Sequence, residues 1–145
     1  MAAQVVVKVD PVVSGIASDD LLRYFYYGGV IHCGLKEWRG ALECFRCATT
    51  LPAIALSAIS VESFKKMALV SLIVHGKKVE LPAYTPKPMS NFAKSGSDVK
   101  AYEAIAAKFG EESPQALEDE VERHAVQLGR DRNYGLAKQV LFSGS

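Results

Sequence analysis

The sequence predicts an all-α protein, a right-handed stack of antiparallel helix pairs with six or seven helices. Apolar residues recur at three- and four-residue spacing in successive segments, the mark of a helical stripe. Helix start and stop residues bracket those segments. No stretch shows convincing two-residue alternation, the weak exception being Val5 to Val9.

Residues 1–17 read as a largely irregular N-terminal segment. Ser18 is a good N-cap, and Asp19 and Asp20 favour the positive end of a helix dipole. The first helix then carries Leu21, Leu22, Phe25, Tyr26 and Val30 and stops at Gly34. The second runs from near Lys36 to near Thr50, with Trp38, Ala41, Leu42 and Phe45 at i, i+3, i+4 and i+7. A connection as short as Gly34-Leu35 makes the pair antiparallel. The third is expected from Pro52 to Gly76, with Ile54, Leu56, Ile59, Val61, Phe64, Leu69, Leu72 and Ile73 placed all round it. A helix apolar on every side must be covered on more than one.

Residues 77–97 read as a connector, since Pro82, Pro86 and Pro88 interrupt regular structure, with a short helix from Met89. Residues 98–142 hold a further helix pair: Ser97 caps Val99 to Phe109, and Ser113-Pro114 opens a helix with Leu117, Val121, Ala125 and Leu128 on one face. A last helix spans Asn133 to Phe142, and residues 143–145 form a tail. Residues 18–76 thus form one helical-repeat unit ahead of the connector.

Among the 145 residues 49% are apolar and 23% charged, with a net charge of +1. That is ample for a core, and it offers no single-sign field for nucleic acid or an anionic membrane. Neither a nucleic-acid nor a membrane partner is expected. From Ala53 to Val74 the chain is apolar enough to raise a membrane span, but Glu62, Lys65 and Lys66 at its centre argue for a buried core helix. The N-terminus shows no signal peptide, and three cysteines fit a reducing compartment.

Gly29, Ala41, Phe45 and Ala48 reproduce the small–small–aromatic–small spacing of a tetratricopeptide repeat, with Pro52 near its closing proline. Glycine and alanine allow two helices to nest while the aromatic fills the groove. Longer runs add to this: Tyr26-Tyr27-Gly28-Gly29, Gly34-Leu35-Lys36, Ala41-Leu42 and Glu62-Ser63-Phe64-Lys65-Lys66. After them come Leu69-Val70-Ser71-Leu72-Ile73, Gly76-Lys77, Leu81-Pro82-Ala83-Tyr84-Thr85 and Arg132-Asn133-Tyr134-Gly135-Leu136-Ala137-Lys138-Gln139. In this order and spacing they resemble the COP-9 signalosome subunit three family, over Asp20 to Leu141.

That resemblance implies a scaffold: helical repeats leading into a PCI domain, whose complex removes Nedd8 from cullin-RING ubiquitin ligases in nucleus and cytoplasm. The isopeptidase of such a complex sits in a different subunit, so this chain is expected not to be an enzyme. Other signalosome subunits are the implied partners, and cullin-RING ligases the indirect ones. The chain is expected to begin several helices into the family's repeat array and to stop inside the helical part of the PCI region. Rival readings are a proteasome-lid or other tetratricopeptide-type adaptor, and a small helical enzyme with a site near His32 and Cys33.

No cofactor, metal or small-molecule substrate is expected. Cys44 and Cys47 form a lone C-x-x-C interleaved with core positions, which reads as packed thiols rather than a zinc site. His32, His75 and His124 accompany no motif; His124 reads as a packed, hydrogen-bonded side chain and His75 as favouring its helix C-terminus. The acidic run Glu111 to Glu122 reads as a solvated face, and Lys65 and Lys66 with Glu62 as a helix-surface ion pair. Four consecutive aromatics, Tyr24 to Tyr27, point all round their helix, so some of them must leave the core. Tyr24, Tyr26 and Tyr27 are therefore expected either to bind a partner or to be covered by a further helix pair of the repeat stack, and Leu136, Val140 and Leu141 on the last helix are expected partner-binding residues as well.

Overall fold

A computed structural model describes residues 11–52, 56–111 and 113–144, with side chains left out for 11–18 and 144. Among the described residues there are eight helices and no strand: α1 (Pro11–Gly34), α2 (Trp38–Thr50), α3 (Ala58–His75), α4 (Lys87–Ser95), α5 (Val99–Phe109), α6 (Pro114–Arg123), α7 (Ala125–Arg130) and α8 (Tyr134–Gly144). The count exceeds the expected six or seven because His124, at φ −103° and ψ 17°, interrupts what reads as one helix and divides it into α6 and α7.

Several boundaries move. Helix α1 is already helical from Pro11, ahead of the expected start at Ser18. Residues 11–17, expected to be irregular, are helical. Helix α3 starts after Ser57 rather than at Pro52. There the Ser57 hydroxyl accepts from the Ser60 backbone N–H and the Ser60 hydroxyl accepts from the Ser57 N–H, both at 3.1 Å. This reciprocal box satisfies two donors at once and sets the start. Ile54 lies outside the described residues. Helix α5 has no side-chain cap, so Ser97 does not fill the capping role expected of it. Helix α8 continues through Ser143 to Gly144, where a tail was expected.

Gly76 closes α3 in the left-handed conformation at φ 69°, its N–H donating to the Leu72 carbonyl at 3.0 Å. Helix α1 packs on α2, and α2 on α3. Close approach of the first pair depends on Gly29: a Cβ there would sit 2.4 Å from Phe45 Cε1. Phe45 itself is completely buried.

Helix α3 is the shared element. Its residues 63 to 72 are all buried. Phe64, Met67 and Val70 face a cluster with Ala41, Phe45, Met89 and Val99. Ala68, Leu69 and Leu72 face a second one with Tyr102, Ile105, Leu117, Val121, Leu128, Ala137 and Val140. The all-round apolar pattern is thus covered by α1 and α2 on one side and by α5 and α8 on the other. Burying one such Leu or Phe side chain contributes about 1.5–3 kcal/mol.

Candidate partner-binding surfaces

Helix α1 has one face in the core and another open. Phe25 is buried, and Tyr26 is half-buried with its ring tilted against Phe45 at 6.3 Å. Tyr24 and Tyr27 are 46% and 55% exposed, and Ile31 and Leu35 are 62% and 63% exposed. Positions 24, 27 and 31 fall on one stripe of α1, since residues three and four apart are neighbours, and Leu35 continues it in the turn, its N–H donating to the Ile31 carbonyl at 3.1 Å. The aromatic run therefore divides as its length requires: Phe25 fills the core, Tyr26 packs at its edge, and Tyr24 and Tyr27 face outward.

The expected residues of α8 separate differently. Val140 is completely buried in the second cluster, so it has no surface to offer a partner. Its place follows from the register of Ala137 and Val140, three residues apart and both turned onto α3. Leu136 is half-buried and packs against both clusters, and Leu141 packs partly against the second.

Sequence reasoning missed a polar network, and Lys65 and Lys66 are where it failed. They are 4% and 7% exposed, not a surface pair. Lys65 Nζ donates to Asp131 Oδ1 at 3.1 Å and lies 3.5 Å from Asp98 Oδ2. Tyr102 donates its hydroxyl proton to Asp131 Oδ2 at 2.7 Å and accepts from Asn133 Nδ2 at 2.9 Å. Lys66 Nζ donates to Asn133 Oδ1 at 2.7 Å, while Glu62 is 3.8 Å away. Burial holds the Lys66 ammonium below its usual range, with Glu62 opposing, and pushes the Tyr102 phenol up. Charges out of water persist when they are hydrogen-bonded, and among the described residues no buried side-chain nitrogen or oxygen is left without a partner. The signal was available: a helix covered all round that carries two lysines needs acceptors, and Asp131 and Asn133 occupy the turn before α8.

That turn is itself constrained. Arg132 has φ 61°, a left-handed conformation uncommon for a side-chain-bearing residue. Lys36 has φ 59° in the turn between α1 and α2, where its N–H donates to the Cys33 carbonyl at 3.0 Å.

Glu120 also departs from the solvated-face reading. It is buried and accepts from Arg123 at 3.2 Å, with His124 Nε2 2.9 Å away. His124 is thus packed and hydrogen-bonded. His32 Nδ1 sits 2.8 Å from Glu37 Oε1. The Cys33 thiol is pushed up to about 11, chiefly by burial, and stays protonated at neutral pH. A protonated thiol is a poor nucleophile and metal ligand, which weighs against a site near His32 and Cys33. Burial raises Cys44 and Cys47 too. All three cysteines are free, and among the described residues no group of three or more His, Cys, Asp or Glu side chains could hold a metal ion. No helix among them is long and apolar enough to cross a membrane.

Stacked helix pairs around a shared central helix, with an apolar stripe on the first, define a helical-repeat protein. The family model described as COP9 signalosome complex subunit 3, N-terminal helical repeats, matches residues 4–89. The chain is 35% identical over 138 residues to COP9 signalosome complex subunit 3 of Dictyostelium discoideum, covering 95% of this chain and 32% of that protein. It is 37% identical over 128 residues to the Drosophila melanogaster protein of the same name, covering 84% of this chain and 27% of that one. The chain spans about a third or less of the length of these curated relatives. It belongs to the COP9 signalosome subunit 3 family of helical repeats.

Proposed function

We propose that the chain is a non-catalytic scaffolding segment of a COP-9 signalosome, holding sister subunits so that the assembly removes Nedd8 from cullin-RING ligases. The open stripe of Tyr24, Tyr27 and Ile31 on α1, continued by Leu35 in the turn that follows, carries this reading, because large apolar side chains aligned in this way suit burial against another helix. Tyr24 and Tyr27 are the anchors, since a tyrosine supplies large contact area at low conformational cost. Tyr26, Leu136 and Leu141 support that work from within, by fixing α1 and α8 on the core.

Partner contact is thus through protein surfaces, with no nucleic acid, membrane, cofactor or small-molecule substrate, and the working locations are cytoplasm and nucleus. The test is binding of purified sister signalosome subunits to the wild-type chain and to the triple variant Tyr24→Ser, Tyr27→Ser, Ile31→Ser. Loss of at least about tenfold in affinity is expected, since each anchor removed costs on the order of 1 kcal/mol or more. Lys100→Ala, on an exposed position elsewhere, serves as control. Equal affinity of the triple variant and wild type overturns the proposal.

A further inference from the structure

The apolar stripe of α1 is bounded by charges of opposite sign. At its start Asp20 is in line with Tyr24, one turn earlier, and Asp19 is beside it; both are exposed. Past Leu35, the corner into α2 carries Lys36 and Arg39, exposed as well. Among the described residues Asp19, Lys36 and Arg39 have no ion-pair partner. Asp20 has Arg23 at 3.9 Å, but the two side chains are 87% and 53% exposed, and a pair so long and so wet contributes little. Glu37 shares the corner, its Oε1 held 2.8 Å from His32 Nδ1. With Arg23 and Glu37 counted and histidine neutral, two carboxylates face one cation at the start, and two cations face one carboxylate at the corner.

The corner end of the stripe is also open, since nothing lies within 4 Å of a Cβ added at Gly34. An apolar centre with a negative start and a positive finish is complementary to itself when turned end for end. Such a surface suits an isologous pair, in which the same patch serves both copies.

We propose that α1 pairs with α1 of a second copy of this chain, antiparallel, about a two-fold axis near Tyr27. Tyr24 of each copy packs on Ile31 of the other, the two Tyr27 rings meet at the axis, and Asp19 and Asp20 reach Lys36 and Arg39 of the other copy. A parallel pairing sets carboxylate beside carboxylate and cation beside cation, so charge selects the antiparallel one. The two-fold closes the interface, and association stops at the dimer. From Asp20 to Leu35 the face is about 22 Å long, at about 1.5 Å per residue. One helix face of that length makes a weak, transient dimer rather than an obligate one. The stripe is the one that the scaffold reading assigns to sister subunits, and the inference rests on that reading in one respect: a second copy covers the stripe until a sister subunit displaces it.

Sedimentation equilibrium of the whole chain tests this, from roughly 5 to 500 μM, the range in which a weak dimer dissociates. A reversible monomer–dimer equilibrium is expected, with no larger species. Raising the salt from about 50 to about 500 mM should weaken it at least about threefold, because exposed charges are screened. Ile31→Arg, at a position 62% exposed, should weaken it at least about tenfold while the circular dichroism spectrum stays that of wild type. Two charge-reversed chains give the sharper result. One carries Asp19→Lys with Asp20→Lys, the other Lys36→Asp with Arg39→Glu. Each should pair with itself at least about threefold more weakly than wild type does, and the two mixed should pair about as tightly as wild type. Monomer at every concentration, growth past the dimer, tightening with salt, equal pairing of Ile31→Arg, or a mixture no tighter than its components each overturns the proposal. Sister-subunit binding, measured at chain concentrations where wild type is monomeric, separates the two readings. Sister binding without self-pairing sinks the dimer alone, and a dimer that binds no sister subunit sinks the scaffold.

Discussion

Lys65 and Asp131, 66 residues apart in sequence, meet at 3.1 Å in the interior, joining the middle of α3 to the turn before α8. The contact does more than neutralise two charges. Asp131 holds Tyr102 through its other oxygen, and Tyr102 accepts from Asn133, so two helices and a turn are fixed by one set of bonds. Asp131→Ala should cost about 3–5 kcal/mol, because it strands Lys65 without its best acceptor. Replacing both, as Lys65→Met with Asp131→Leu, should recover part of that loss. Urea denaturation of Asp131→Ala, of the double variant and of its single changes Lys65→Met and Asp131→Leu measures it, and additive losses in the double variant would show that the two residues are uncoupled.

Gly29 and Gly34 occupy the same helix and should respond oppositely. At Gly29 a Cβ meets the Phe45 ring within 2.4–2.7 Å, while at Gly34 nothing lies within 4 Å. Gly29→Ala and Gly29→Leu should both destabilise, the leucine by about 1–3 kcal/mol. Gly34→Ala should be neutral or stabilise by up to about 1 kcal/mol, through reduced freedom of the unfolded chain. Thermal melting of the two alanine variants decides it.

High pH should weaken the fold through Cys33. Its thiol moves from 9.0 to about 11 in the folded chain, so between these values the unfolded state ionises and the folded state does not. The folded state then holds more protons, and stability falls as pH rises across that window. Below pH 9 the contribution is fully present. Burial raises Tyr26 and Tyr102 as well, which extends the loss above pH 10. Lys66 acts in the opposite sense: its folded value is depressed, so its penalty is relieved as pH rises towards 10.5. Unfolding free energies at pH 8 and pH 11 should differ less in Cys33→Ala than in wild type. An identical difference would show that Cys33 is not the titrating group.

Charge substitutions on α8 and α1 should part company. Val140→Asp buries a carboxylate with no partner and should unfold the chain or cost more than about 3 kcal/mol. Tyr24→Asp, on the open stripe, should leave helicity and melting within about 0.5 kcal/mol of wild type. Circular dichroism separates these outcomes, and a folded, stable Val140→Asp would mean that α8 is placed wrongly.

Most of the fold was legible because spacing alone determines which face of a helix is apolar. The α1–α2 pair followed from Gly29, Ala41, Phe45 and Ala48, and the central place of α3 from its lack of a polar face. Helix ends were less legible. Ser18 and Ser57 are equally good caps by residue type, but only Ser57 has a serine three residues on that returns the bond. The break at His124 had no local sign, since neither glycine nor proline marks it. Of the surface residues, Tyr24 and Tyr27 could be separated from Phe25 only by knowing which direction α2 approaches. Val140 was indistinguishable from a surface valine until the register of α8 on α3 was fixed. The buried lysines needed long-range knowledge, because their acceptors come from a turn some 66 residues away.

Because α3 lends one flank to each apolar cluster, neither can melt while the other persists intact. A protease that nicks the exposed stretch at Lys77–Lys78 should therefore leave two fragments that stay associated and elute as one species until denaturant is added. Heating the uncut chain should give a single calorimetric peak, whatever number of repeat units the helices suggest.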